Sequence, residues 1–278
     1  MALFRIIHNV SSVRKRRTLL KEVKNKMAEN KTKLKLDALP GQIRDGMKDF
    51  ADKLTAELGE NLQSITVVGS SLTGDFRPGQ SDINTVLVLR RHTLASLNAI
   101  AALARPMRKK RISPPLLMTE SYIEQSRDVF GVEFLDFQLT HQTILGDDPF
   151  AALTFDKKDV RLQCERELKA MLIRLRQGYL AAAANKKLVR DVLISTTKGL
   201  MPLLRAMLWL KDIDRPNKAE PTLREAVEQF LINKDSLITT RKWQHQKVRL
   251  SKFELESAFE SIYATVEQLA LFVDTLEV

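Results

Sequence analysis

The chain has 278 residues, a formal net charge of +11 at pH 7 and a single cysteine, Cys164. This length is enough for two domains that each bury a hydrophobic core. One cysteine excludes an internal disulfide framework, and the sequence shows no long uncharged apolar run that would indicate a membrane span or a secretory signal. We therefore expect a protein of the reducing cytoplasm.

Most of the positive charge belongs to the N-terminal segment. Residues 1–36 contain eleven Lys or Arg and two Glu, which accounts for +9 of the +11. Such a segment fits contact with nucleic acid or an anionic membrane surface, because each cation near a phosphate releases a counterion. It also fits a solvated helix or extension, as charge runs commonly are. We treat residues 1–36 as a separate basic segment with both interpretations open.

Residues 37–150 alternate between helical and extended patterns after a break at 39–41. Apolar residues at helical spacing predict a first helix between Ile43 and Leu58. The predicted elements that follow are a strand ending at Val68, a strand over Val86–Leu89, a helix over Leu94–Leu103, a strand over Leu116–Met118, a helix over Ser121–Arg127 and a strand over Val132–Leu139. This alternation predicts a mixed sheet with helices on one face.

Residues 151–278 show only helical periodicity. Apolar residues recur at steps of three and four from Cys164 to Tyr179, from Val189 to Met207 and from Leu255 to Val273. This half therefore reads as an antiparallel helical bundle. The predicted fold class is α+β, with a mixed-sheet domain followed by an all-α bundle.

A glycine-serine turn and two polar residues stand at the centre of the first domain. Gly69 and Ser70 follow the first strand, and Asp82 and Asn84 lead into the second. Alternate residues of a strand share a face, so Asp82 and Asn84 are expected to project together while Ile83 enters the core. Glycine lets the backbone approach a phosphate closely, and a helix start offers free N–H groups to an anion.

This pattern resembles the signature of the DNA polymerase beta-like nucleotidyltransferase superfamily, in which a G-S is followed by a D-x-D on the next strand. The segment from His141 to Phe150 is similar to the junction by which kanamycin-type members pass into a helical domain. The resemblance implies binding of a nucleoside triphosphate with Mg²⁺ or Mn²⁺, and transfer of a nucleotidyl group to a hydroxyl acceptor. It also implies nucleotide contacts by Gly69, Ser70, Ser71 and Ser81.

Asn84 departs from the family pattern, because it replaces the second carboxylate. An amide oxygen carries no charge to offset a divalent ion, and Mg²⁺ prefers carboxylate and phosphate oxygens. We therefore expect one tight metal site rather than two, held by Asp82, Asn84 and a third acid.

The family also places a third carboxylate on a neighbouring strand, as base or metal ligand. In the predicted strand Val132–Leu139 the candidates are Glu133 and Asp136. Alternation puts Glu133 on the apolar face and Asp136 beside Gln138, so we assign Asp136. A hydrogen-bonded aspartate without a metal remains the alternative.

Two functions from different classes remain open. The first is a nucleotidyltransferase with Asp82, Asn84 and Asp136 as catalytic and metal-binding residues. The second is a catalytically degenerate relative that binds a nucleotide or a partner as a sensor or interaction module, which Asn84 favours. Elsewhere, the run Arg241–Arg249 mixes cations with Trp243 and suits phosphate and base contacts, or simply a solvated helix.

Overall fold

This computed structural model describes residues 34–246 and 248–278. Nearly all of the basic segment 1–36 therefore lies outside the described residues, and its proposed contact with nucleic acid stays a prediction. Among the described helices, none is both long and apolar enough to cross a membrane.

The elements follow the predicted order of a sheet domain and then helices. The strands are β1 (Leu62–Val68), β2 (Asn84–Leu89), β3 (Leu116–Met118) and β4 (His141–Leu145). The helix before them is α1 (Gly41–Leu58), and the helices between them are α2 (Leu94–Ala102), α3 (Ala104–Lys109), α4 (Glu120–Gln125) and α5 (Gly131–Leu139). The remaining helices are α6 (Lys157–Ala182), α7 (Lys186–Leu210), α8 (Ala219–Phe230), α9 (Asp235–Trp243) and α10 (Lys252–Asp274), and short 3-10 turns span Gly59–Asn61 and Gly69–Leu72.

The four strands form a mixed sheet in the order β3-β2-β1-β4. β1 is antiparallel to both β2 and β4, and β2 is parallel to β3. The buried face of α1 packs with residues of α2, α3 and the sheet into one hydrophobic cluster. A smaller cluster lies on Val68, Val86 and Val88, where Phe134 and Phe150 cover the sheet.

The second half is all helical among the described residues after Leu145, as the periodicity predicted. Its core runs through α6 to α10 and is built from fully buried side chains such as Leu168, Leu200 and Ile262. α6 begins after Asp156, whose side chain accepts from the N–H of Lys158 as an N-cap. The predicted fold class, a mixed-sheet domain followed by a helical bundle, is confirmed.

The predicted strand over Val132–Leu139 is wrong, because these residues form α5. Phe134 packs in the cluster against the sheet, whereas Val132 and Leu135 belong to the core of the bundle. A helix held between two cores is apolar on more than one side, and over nine residues its pattern imitates an alternating strand. The strand that pairs with β1 is instead the following segment, β4.

Candidate functional site

The site begins at one end of the sheet, where three strands meet. Val68 at the end of β1 pairs with Asn84 at the start of β2 and with His141 at the start of β4. The next residue, Gly69, has φ +80°, and its N–H donates to the carbonyl of Thr140 at 2.9 Å. Such a backbone conformation favours glycine, and it turns the chain sharply at the sheet edge.

A cleft of about 470 Å³ lies between this edge and the helical bundle. The sheet domain contributes Gly69, Ser70, Thr73, Asp75, Gln80, Ser81, Asp82, Asn84, Asp136 and Thr140. The bundle and its loops contribute Lys198, Met201, Pro202, Arg205, Asn217, Ala219, Arg241, Gln244 and His245. The cleft therefore combines the sequence motif with side chains from more than a hundred residues later in the chain.

Six of the seven residues assigned from the sequence line this cleft: Gly69, Ser70, Ser81, Asp82, Asn84 and Asp136. Ser71 is the exception. It is only 1 % exposed, it does not line the cleft, and its hydroxyl has no hydrogen-bond partner among the described residues. The side chain of Ser71 is thus not placed to contact a nucleotide.

Asp82 carries an ion pair with a residue of the chain turn after α3. The Arg111 guanidinium lies 2.7 Å from the Asp82 carboxylate, and both side chains are about half exposed. The same guanidinium donates to the carbonyls of Gln80 at 2.7 Å and Ser81 at 3.2 Å. Arg111 thus pairs with the Asp82 carboxylate and hydrogen-bonds to the backbone that precedes Asp82.

Asp136 reaches the cleft from α5 rather than from a strand. Its carboxylate accepts from Arg205 of α7 at 2.6 Å, and both side chains are largely buried. The expectation of a third carboxylate on a neighbouring strand is wrong, since neither β3 nor β4 contains an Asp or Glu. Glu133 points elsewhere: it accepts from Gln163 of the first bundle helix at 2.6 Å.

The bundle surrounds the motif with positive charge. Lys198 and Arg205 of α7 and Arg241 of α9 line the cleft, and Arg111 stands behind Asp82, so four cations face the three carboxylates of Asp75, Asp82 and Asp136. Burial lowers the pKa of Arg241; Asp75 opposes this effect, and neighbouring arginines add to it. With Arg111 included, cations thus outnumber carboxylates by one among the described residues of the site.

His245 belongs to the same cationic surroundings. Its Nδ1 lies 3.0 Å from the side-chain oxygen of Gln80 in the motif loop. Burial lowers the pKa of His245, and the charges of Arg77, Arg241 and Lys198 lower it further. The cations repel a proton on the ring, so a bound anion would reverse this effect.

The loop between the motif halves joins the two domains. The Asp75 carboxylate accepts from the N–H of Ala219, the first residue of α8, at 2.7 Å, and it lies 3.9 Å from Arg241. A carboxylate at a helix start stabilises the helix dipole. The sequence had indicated the run that includes Arg241 and His245.

Lys198 and Arg205 were missed by sequence reasoning, because they lie on α7 among the apolar residues of a bundle helix. Arg205 is itself largely buried by its pairing with Asp136. A cation directly after two buried leucines is a signal for a buried ion pair, but the sequence does not show its partner.

The fit of a divalent metal depends on Asp82. No group of three or more His, Cys, Asp or Glu side chains able to hold a metal exists among the described residues. Mg²⁺ bound with a triphosphate needs only one or two carboxylates, because phosphates and water complete its shell. Asp82 with the Asn84 amide therefore fits one such ion, whereas the residues do not fit a pair of ions.

Comparison with known proteins gives a structural likeness only. No protein-family model matches the chain, and no curated protein matches its sequence. Among solved structures, it is similar to the spectinomycin adenyltransferase of Enterococcus faecialis, solved with ATP and spectinomycin, with a TM-score of 0.51 and 9 % identity. The match covers 80 % of this chain and 98 % of that one. The chain thus has the nucleotidyltransferase-like fold of that protein.

Proposed function

We propose that this protein binds a nucleoside triphosphate with one divalent metal ion in the cleft, and that it transfers the nucleotidyl group to a hydroxyl acceptor. The observation that carries the proposal is the meeting of the Gly69-Ser70 turn, Asp82 and Asn84 in a single cleft with cations of the bundle. Its fold is that of an adenyltransferase solved with ATP and a small-molecule acceptor, which supports the same class of ligand.

The phosphates would lie against the turn after β1. Gly69 leaves the backbone open to close approach, and Ser70 offers an exposed hydroxyl and the start of a 3-10 turn. On the opposite wall, Lys198 and Arg241 face the same space. The turn on one side and fixed cations on the other would hold a polyphosphate and stabilise the charge that develops during transfer.

The metal would be held by Asp82 and Asn84. Mg²⁺ or Mn²⁺ held there would supply positive charge to the phosphate oxygens, while the acceptor oxygen would bond to the α-phosphorus and pyrophosphate would leave in line. Because Asp82 is the carboxylate beside Asn84 and is already paired with Arg111, a single ion is expected, bound together with the triphosphate. Asp136 would receive the proton of the acceptor hydroxyl, and Arg205 positions its carboxylate at 2.6 Å.

Calorimetric titration with ATP, GTP, CTP and UTP in the presence of Mg²⁺ tests the proposal before any acceptor is known. We expect at least one triphosphate to bind at a single site. Ser70→Ala should weaken that binding about three- to tenfold by removing a phosphate contact. The matched control is Ser121→Ala, since Ser121 is exposed on α4 and does not line the cleft. If the wild type, Ser70→Ala and Ser121→Ala bound the triphosphate with equal affinity, the Gly69-Ser70 motif would not be part of the binding site.

The degenerate alternative stays a second proposal, because Asp82 and Asp136, the two carboxylates expected to act in transfer, are each paired with an arginine at 2.7 and 2.6 Å. Triphosphate binding with no turnover of labelled nucleotide, whatever hydroxyl compound is supplied, would identify a nucleotide sensor. Labelled product would identify the enzyme.

A further inference from the structure

Arg111 stands out in the site because nothing in the sequence motif requires it. Its guanidinium contacts Asp82 at 2.7 Å and the carbonyls of Gln80 and Ser81. A guanidinium presents its donors in a fixed fork, so three acceptors on one segment define its position far better than a single exposed ion pair does.

The backbone of Arg111 is also fixed to the motif strand. Its carbonyl accepts from the N–H of Ile83 at 2.8 Å, and the carbonyl of Ile83 accepts from Ser113 at 2.9 Å. Arg111 has φ +56°, in the left-handed region that residues with a side chain seldom adopt. A non-glycine residue in this conformation is retained where the surrounding contacts determine it.

This arrangement has an electrostatic consequence for Asp82. A free carboxylate at the edge of the cleft would repel the phosphates of a nucleotide. In metal-dependent sites, a divalent ion between the two removes this repulsion. Here the Arg111 cation already neutralises Asp82 from the side away from the cleft, since Arg111 itself does not line that cleft.

We infer that Arg111 is the resident counter-charge of Asp82, and that it lets the cleft bind a triphosphate without a divalent metal. Arg111 acts through Asp82 and is therefore a positioning residue rather than a catalytic one. A divalent ion that uses Asp82 must compete with Arg111, so the nucleotide-free protein binds such ions weakly. The triphosphate part of this inference rests on the function proposed above.

The test is the affinity for ATP, measured by calorimetry at low ionic strength with either EDTA or Mg²⁺. The wild type should bind ATP with affinities within about threefold in the two conditions. Arg111→Gln should bind about tenfold more weakly in EDTA, because Asp82 is left uncompensated, and should recover in Mg²⁺. The matched control Arg108→Gln, which removes an exposed arginine one turn earlier, should follow the wild type.

The double variant Arg111→Gln/Asp82→Asn separates charge compensation from structural support. It should regain ATP affinity in EDTA, since the repelling carboxylate is gone together with its partner. The inference is overturned if Arg111→Gln weakens ATP binding by the same factor in EDTA and in Mg²⁺. It is also overturned if the variant binds ATP as tightly as the wild type in both conditions. If Arg111→Gln does not fold, the wild type alone decides: a need for Mg²⁺ in ATP binding would overturn the inference.

A titration of the nucleotide-free protein with Mn²⁺, followed by electron paramagnetic resonance, keeps the two proposals distinguishable. Arg111→Gln should bind Mn²⁺ about tenfold more tightly than the wild type, and adding Asp82→Asn should abolish the gain. Unchanged Mn²⁺ affinity would show that Arg111 does not compete with a divalent ion for Asp82. A wild type that binds no ATP in any condition would instead refute the triphosphate site, while the Mn²⁺ result would still decide the role of Arg111.

Discussion

Single charges decide what this cleft can bind. Asn84 lies at the start of β2 with its amide nitrogen near Gly69, where the family resemblance expects a carboxylate. Asn84 is neutral, and Asp82 is paired with Arg111. Of the bundle cations at the cleft, Arg205 and Arg241 lie beside carboxylates, whereas Lys198 has no ion pair among the described residues. The site is thereby better suited to the phosphates than to a second metal ion.

Asn84→Asp should reverse this preference. A second carboxylate beside Asp82 should strengthen binding of Mg²⁺ together with a triphosphate and raise nucleotidyl transfer, since two carboxylates hold a divalent ion better than one. In EDTA the same variant should bind the triphosphate about tenfold more weakly, because the added charge repels the phosphates. Calorimetry in the two conditions measures both effects.

Asn84→Ser is the neutral control for that experiment, because it changes the side chain without adding charge. Asn84→Ser should change the triphosphate affinity by the same factor in Mg²⁺ and in EDTA. If Asn84→Asp leaves the affinity unchanged both with Mg²⁺ and with EDTA, Asn84 does not face the bound phosphates.

His245 should make triphosphate binding depend on pH. Its pKa is lowered in the free protein, so the ring is neutral at pH 8, and an anion placed among Arg77, Arg241 and Lys198 should raise that pKa. Affinity should therefore rise as pH falls through the pKa of the bound state, by up to about tenfold for each unit that binding raises the pKa.

The measurement is calorimetry between pH 8 and pH 6 in two buffers of different ionisation enthalpy, which reports proton uptake on binding. The triphosphate takes up a proton of its own in this range, so His245→Gln serves as the reference at each pH. Equal proton uptake by wild type and His245→Gln would show that His245 does not gain a proton when the triphosphate binds.

At the scale of elements, the sequence correctly predicted helices that bury a single face. It failed for the helix that is buried on more than one face. α1 presents one buried stripe from Ile43 to Leu58, and its helix follows from spacing alone. α5 packs against the sheet and the bundle together, so its apolar residues do not share one face. The same sandwiched position brings Asp136 to the cleft, which strand alternation had suggested for an incorrect reason.

The turn after β4 should be the glycine position least tolerant of a side chain. Gly146 has φ +77°, and a Cβ there would lie 2.0 Å from the carbonyl oxygen of Gln63 in β1. Gly146→Ala should lower the free energy of unfolding by at least about 2 kcal/mol. Gly41→Ala is the matched control, because a Cβ at the start of α1 would meet no atom of the described residues within 4 Å.

Denaturant unfolding followed by circular dichroism compares the two alanine variants. Gly41→Ala should be neutral or stabilising by up to about 1 kcal/mol, since alanine favours the helix. If Gly146→Ala were as stable as the wild type, the approach of this turn to β1 would not be as close as described.

For the whole molecule, the site depends on contacts that no local pattern encodes. The motif residues are separated from Lys198, Arg205 and Arg241 by more than a hundred positions. The packing of α7 on α5 and the contact of α9 with the motif loop bring them together. Sequence reasoning therefore found one wall of the cleft and the order of the domains. On the opposite wall it had indicated only the run that includes Arg241 and His245, because helical spacing does not tell which end of a bundle meets the sheet.

Arg205 joins the two walls, and its loss should weaken the whole structure. It pairs with Asp136 at 2.6 Å and donates to the carbonyl of Pro216 at 3.1 Å, with its side chain 12 % exposed. Arg205→Ala leaves a largely buried carboxylate without its partner, which should cost about 2–4 kcal/mol of unfolding free energy. Arg174→Ala, which breaks an exposed pair with Glu167 at 3.4 Å, should cost less than about 1 kcal/mol. Thermal and denaturant unfolding of both variants measure the difference, and adding Asp136→Asn to Arg205→Ala should recover part of the loss because the uncompensated charge is removed. Equal stability of the two single variants would mean that the Asp136–Arg205 pair does not join the sheet domain to the bundle.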